Sequence, residues 1–173
     1  MRIYIKTKNG QKPKITIGYR ELAERMWFKE KNGKELELSH IGDDECLQED
    51  VYLSLADDKW LNNSQWNNDH SKFHHENINT YYSKSHHLIR IVTDHVNILT
   101  VDQRALYIMV IELAKSANGV ISEDLGETWI GVEGFEKNHQ DILSLSYDEA
   151  NEMSLEEAKT LEPVEEPYDW EED

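Results

Sequence analysis

An α+β fold is predicted, a single domain whose antiparallel or mixed sheet is packed by one long helix and followed by an acidic C-terminal tail. Three observations predict it. Several short segments alternate apolar and polar residues, the period of a half-buried strand. Leu88–Val92 is apolar except for Arg90 and suits a central strand. Asp102–Ala117 places Ala105, Ile108, Met109 and Leu113 at helical spacing and runs into Asn118-Gly119, a helix stop. At 173 residues the chain suits one domain, expected over residues 1–160, with the tail at 161–173.

Taken in order, Arg2–Thr7 sets Ile3 and Ile5 between polar residues as a strand, and Lys8-Asn9-Gly10 turns it. Ile15-Thr16-Ile17 is a short strand candidate. Gly18–Lys31 carries Leu22 and Met26 on one stripe and reads as a helix that Asn32-Gly33 stops. Glu35–Ser39 and Val51–Leu55 alternate as strands around the acidic connection Gly42–Asp50. Between Asp57 and Ser85 the chain is rich in Asn and His and has no sustained period. Short helices are expected near Asp58–Asn63 and Asp69–Asn77, with Trp60, Trp66 and Phe73 as anchors. Thr100 is the expected N-cap of the long helix, and Asp102 adds charge where the dipole favours it. Val120–Ser122 is a strand, returning at Trp129-Ile130. Val132–Asn138 is a short helix with Phe135 facing in, and Tyr147–Leu161 an acidic helix capped by Ser146. Beyond Pro163 the composition is that of a segment disordered when alone.

Charge is distributed very unevenly. The net charge is −17, and residues 121–173 hold eighteen acidic side chains against only Lys137 and Lys159. Residues 1–34 carry ten Lys/Arg and three Glu. Such separation attracts a positive partner at long range. A single cysteine, Cys46, excludes an internal disulfide and fits a reducing cytosol. Its acidic neighbours Asp43, Asp44, Glu45, Glu49 and Asp50 oppose a reactive thiolate. No signal peptide is expected from the first residues, and the apolar stretch Leu106–Leu113 is too short to span a bilayer. The expected location is cytoplasmic, with no membrane partner.

Ser122-Glu123-Asp124-Leu125-Gly126-Glu127-Thr128-Trp129 fits S-x-D-x-G-x-T-W and resembles the Asp-box of sialidases and related β-propellers. In those proteins the motif is a structural turn outside the catalytic centre. Ser122, Asp124, Gly126 and Trp129 are therefore expected to build a turn: Asp124 accepts from the turn's own N–H groups and Gly126 supplies a positive φ. His70-x3-His74, His75 and His86-His87, with Asp69 and Glu76, lack the closed spacing of a zinc site, so no metal and no cofactor is expected. No phosphate-binding, dinucleotide-binding or nucleophile-elbow pattern is present, and the carboxylates lie in repelling runs. No enzyme is expected.

The late segment Gly119-Val120-Ile121-Ser122-Glu123-Asp124-x-Gly126-x-Thr128-Trp129, in a small acidic chain that begins with a strand, resembles immunity proteins of bacterial polymorphic toxin systems, over about residues 88–150. The resemblance implies a protein that neutralises a cognate toxin domain, often a basic nuclease. The expected partner is a basic protein, met by Glu165, Glu166, Tyr168, Asp169, Trp170, Glu171 and Glu172, where aromatics are set inside charge. The alternative is a DNA mimic of the phage anti-restriction or anti-CRISPR type, which would spread its carboxylates over an ordered surface. An accessory subunit with an acidic tail is a third reading. Direct nucleic-acid binding is disfavoured by net charge, with Lys6, Lys8, Lys12 and Lys14 the one local basic cluster.

Overall fold

The computed structural model describes residues 1–9, 11, 14–41, 51–55, 66, 76–83 and 85–167. Along the chain run β1 (Arg2–Thr7), α1 (Tyr19–Met26), β2 (Glu30–Lys31), β3 (Lys34–Glu35), β4 (Leu38–Ile41), β5 (Val51–Leu55) and β6 (Ile78–Ser83). There follow β7 (Leu88–Thr93), α2 (Thr100–Ala117), β8 (Gly119–Ser122), α3 (Val132–Asn138), α4 (Gln140–Leu143) and α5 (Tyr147–Glu157). Six strands form one sheet in the order β4-β5-β6-β7-β1-β8, with each neighbouring pair antiparallel, and β2-β3 make a separate hairpin. The α+β architecture predicted from the sequence is the observed one.

β1 lies inside the sheet between β7 and β8. Its alternation buries Ile3, Ile5 and Thr7 on one face and leaves Arg2, Tyr4 and Lys6 half-buried on the other. α2 packs across the buried face against β1 and β8, while α1, α3, α4 and α5 pack on its other sides. That is why α2 is apolar nearly all round rather than along one stripe. The core joins Ile3, Ile5 and Ile121 of the sheet to Leu22 and Met26 of α1, Leu106 and Val110 of α2, and Phe135 of α3. Arg104 braces this layering by donating to the carbonyls of Met26 (2.9 Å) and Leu145 (2.7 Å). The first of these is the C-terminal carbonyl of α1, where a cation complements the helix dipole.

Several expectations need correction. The helix expected over Gly18–Lys31 is only Tyr19–Met26. Asn32 (φ 53) and Gly33 (φ 74) form the two-residue turn of the β2-β3 hairpin, because paired positive φ suits a hairpin better than a helix stop. The strand expected at Glu35–Ser39 falls at Leu38–Ile41 for the same reason, since Glu35 belongs to the hairpin. Ile15–Ile17 is not a strand. Both edges of β1 are already taken, and the Thr16 N–H donates to Ser116 Oγ (2.7 Å) instead. β6 was unforeseen in the Asn-rich middle. Its buried Asn79 and Thr80 are polar, and Asn79 is satisfied by Val92 O and Asp94. The helices expected at 58–63 and 69–77 lie outside the described residues except for Glu76 and Asn77, which are not helical and directly precede β6; Trp60, Phe73, Cys46, His70, His74 and His75 also lie outside.

The long helix begins at Thr100, earlier than the Asp102 expected. Leu99, not Thr100, is the N-cap, and it makes no side-chain cap bond. The first N–H groups are satisfied from another helix: Thr100 N donates to Glu157 Oε2 (2.9 Å) and Val101 N to Ser154 Oγ (2.9 Å). Ser154→Ala should therefore orphan a buried N–H and cost about 1–2 kcal/mol, read as a lower urea midpoint. An unchanged midpoint would mean that water replaces the hydroxyl. Asn118 caps the other end at φ 49, as Asn-Gly predicted. No helix among the described residues is long and apolar enough to cross a membrane.

Candidate protein-binding face

α3, α4 and α5 pack against α2, and α3 also reaches β8 at the edge of the sheet. α3 is held by Phe135, fully buried and edge-on to Tyr107 at 5.4 Å, with His139 4.5 Å away. α5 is held by Tyr147, Ala150 and Ser154. Ser146 starts α5 with a capping box: its hydroxyl accepts from Glu149 N (3.2 Å), and Glu149 accepts from Ser146 N (2.8 Å). These bonds hold the Glu149 carboxyl below its usual range. Burial, with Asp102 nearby, raises the Tyr147 phenol.

Fixing the buried faces turns the carboxylates outward. Glu133, Asp141, Asp148, Glu149, Glu152 and Glu156 are all exposed on these three helices. Asp148 meets Lys31 and Glu156 meets Lys159. Among the described residues Glu133, Asp141 and Glu152 have no cationic partner. Met153 stands 45% exposed in this charge, one helical turn from both Glu149 and Glu156. A polarizable apolar side chain ringed by carboxylates has the make-up of an interface anchor. The adjacent groove over Ile108, Ile111 and Leu143 is less suited to a cation, because its Glu112 and Glu136 are spent on Arg25 and Lys115.

The acidic end begins pinned to the body. Val96 N donates to Val164 O and Glu166 N to Asp94 O (both 2.8 Å), His95 bridges Glu165, and Val164 N donates to Asn97 Oδ1 (2.7 Å). Glu166 lies 2.6 Å from the Met1 ammonium and 2.7 Å from Arg2 Nε, so its charge is used within the protein. Glu165 is exposed. Tyr168, Asp169, Trp170, Glu171 and Glu172 lie outside the described residues. The sequence therefore grouped Glu166 with the exposed Glu165, which it does not resemble.

Beneath this strap lies a buried acid that sequence reasoning mentioned only as a loose metal ligand. Glu76, 1% exposed, accepts from His95 N (3.0 Å) and pairs with His95 Nδ1 (2.6 Å). Burial, and then the neighbouring Asp102, raises its carboxyl to about 7. Asp94 beside it accepts from Asn77 N (3.1 Å) and Nδ2 (2.8 Å). The pair thus fixes residues 94–97, to which the strap attaches.

In the Ser122–Trp129 turn, Asp124 accepts from the Thr128 hydroxyl and N–H and from Ser122 Oγ, and these bonds hold its carboxyl down to about 2. Trp129 Nε1 donates to Gly126 O (2.9 Å). Gly126 sits at φ +91, and a Cβ there would lie 3.4 Å from the Trp129 ring. Gly126→Ala should cost about 1–2 kcal/mol, measured by urea unfolding, through this backbone strain. His86 and His87 occupy the β6-β7 turn, bonded to Ser83, Ser85 and Tyr82. No cluster of three or more metal-ligand types stands among the described residues.

No protein-family model, curated protein or solved structure matches this chain.

Proposed function

We propose that this protein binds a basic protein stoichiometrically and neutralises it, as an immunity protein does a toxin domain. The observation that carries the reading is the outward carboxylate field of α3–α5 around the exposed Met153. Ordered charge of one sign accelerates encounter, and the apolar anchor slows escape. The C-terminal residues 168–173 add four acidic side chains and Trp170 to the same chemistry. The strap's hydrogen bonds fix the point from which they start.

The test is to find whether the adjacent reading frame encodes a protein ending in a small basic domain, and to use that domain, purified, as the partner. Changing Glu149, Glu152 and Glu156 together to Gln should slow association about tenfold at low salt and flatten its salt dependence. Met153→Ala and Trp170→Ala should mainly speed dissociation, each by about 2 kcal/mol if it is an anchor. Deleting residues 168–173 separates the two regions: undiminished protection would assign the interface to the folded body. Absence of any complex with that domain would reject the reading.

One observation favours DNA mimicry as the second reading. Much of the acid lies on ordered helices, as a mimic requires, rather than only in the tail. Displacement of duplex DNA from a bound protein, with no toxin neutralised, would select it.

A further inference from the structure

The outer face of the sheet carries the opposite chemistry to the helical layer. Register places Arg90 between Tyr81 and Tyr4 on neighbouring strands, and Lys6 in the next row between Leu88 and Val120. Directly paired residues share a face, so these side chains project together, away from α2. Trp129 comes in from the turn after β8, with Lys6 Nζ 3.7 Å from its ring centroid. Arg90 rests 5.1 Å from the Tyr81 ring. Arg20, Arg25, Lys31 and Lys115 each meet a carboxylate. Among the described residues Lys6 and Arg90 meet none, and lie against aromatic rings instead.

We propose that this face binds single-stranded nucleic acid, with bases on Tyr4 and Trp129 and phosphates at Lys6 and Arg90. Strands about 4.8 Å apart set rings and cations side by side at the spacing of a base and its backbone. Tyr4, Lys6, Arg90 and Trp129 are each half-buried, and aromatic rings on a sheet face take unstacked bases, which a duplex does not offer. An acidic peptide would meet the cations but leave the rings without flat partners. The chain's negative charge confines the attraction to a short contact of two phosphates. Sequence order concealed this site, because its residues come from the first strand, β7 and the Ser122–Trp129 turn, while net charge argued against it. The site is independent of the acidic face.

The experiment titrates the full-length protein into a fluorescein-labelled oligothymidylate of about 12 nucleotides, long enough for one such sheet, and reads anisotropy. Saturable binding is expected, with a log–log salt slope of about −1.4 for two phosphates. The matching duplex should bind at least about tenfold more weakly. Tyr4→Leu, which keeps apolar bulk but removes the stacking ring, should weaken binding about tenfold. Lys6→Gln should lower the slope by about 0.7, a readout that does not depend on the tyrosine variant folding. The proposal is overturned by absent binding at low salt, by a Tyr4→Leu variant that folds and binds unchanged, or by equal binding of a polyglutamate peptide of the same charge.

Discussion

Phe135→Ala should destabilise the protein by about 3–5 kcal/mol, the usual cost of emptying a fully buried phenylalanine site. Phe135 has no exposed surface and sits edge-on to Tyr107 against His139. It is the one fully buried side chain of α3, so the cavity loosens that helix from α2 as well as removing contacts. The effect should therefore extend beyond stability. The acidic layer would lose its fixed arrangement, and association with a basic partner should slow although no charge has changed. Urea unfolding and stopped-flow association measure the two effects. A loss below about 1 kcal/mol would mean that the surrounding side chains collapse into the space.

Glu76→Gln should leave stability unchanged near pH 4 and raise it by about 3 kcal/mol near pH 8. The buried carboxyl, 1% exposed, ionises only near pH 7, against an ordinary value of 4.5. A group whose pKa is raised in the folded state binds more protons there than when unfolded. Its stabilisation is complete below about pH 4.5 and is lost as pH rises through about 7. A glutamine has no proton to lose. Its amide oxygen can still accept from His95 N, and its other amide atom faces His95 Nδ1. Asp102 shares the site and repels the ionised form, as burial does. Urea unfolding of both proteins across this pH range is the check, and parallel curves would refute the assignment.

The turn chemistry that was legible depended on neighbours in sequence. Ser146 and Glu149 form their capping box within four residues, and Asn118 ends α2 at positive φ. Asn32-Gly33 was legible as a turn but not as a particular one, since both a helix end and a hairpin accept its φ values. The candidate site was less legible. Its carboxylates were visible in composition, but the structure divides them into exposed ones on α3–α5, some unpaired, and a Glu166 spent on Met1 and Arg2. Buried Glu76 gave no local signal either, because His95 and Asp102 reach it from distant positions in the chain.

By itself the sequence determined the α+β class, β1, the cores of β7 and α2, the bounds of α3 and the acidity of the last third. These follow from side-chain period, local capping and charge, none of which needs a distant partner. Tertiary structure alone decided that β1 is a middle strand, which denied Ile15–Ile17 an edge to pair with. It also decided that the helix cap at Leu99 is completed by Ser154 and Glu157, and that Lys6, Arg90 and Trp129 share one face. Each of these depends on contacts between residues far apart in the chain. Such contacts become defined only when the sheet register and the packing around α2 are in place, and no local period encodes them.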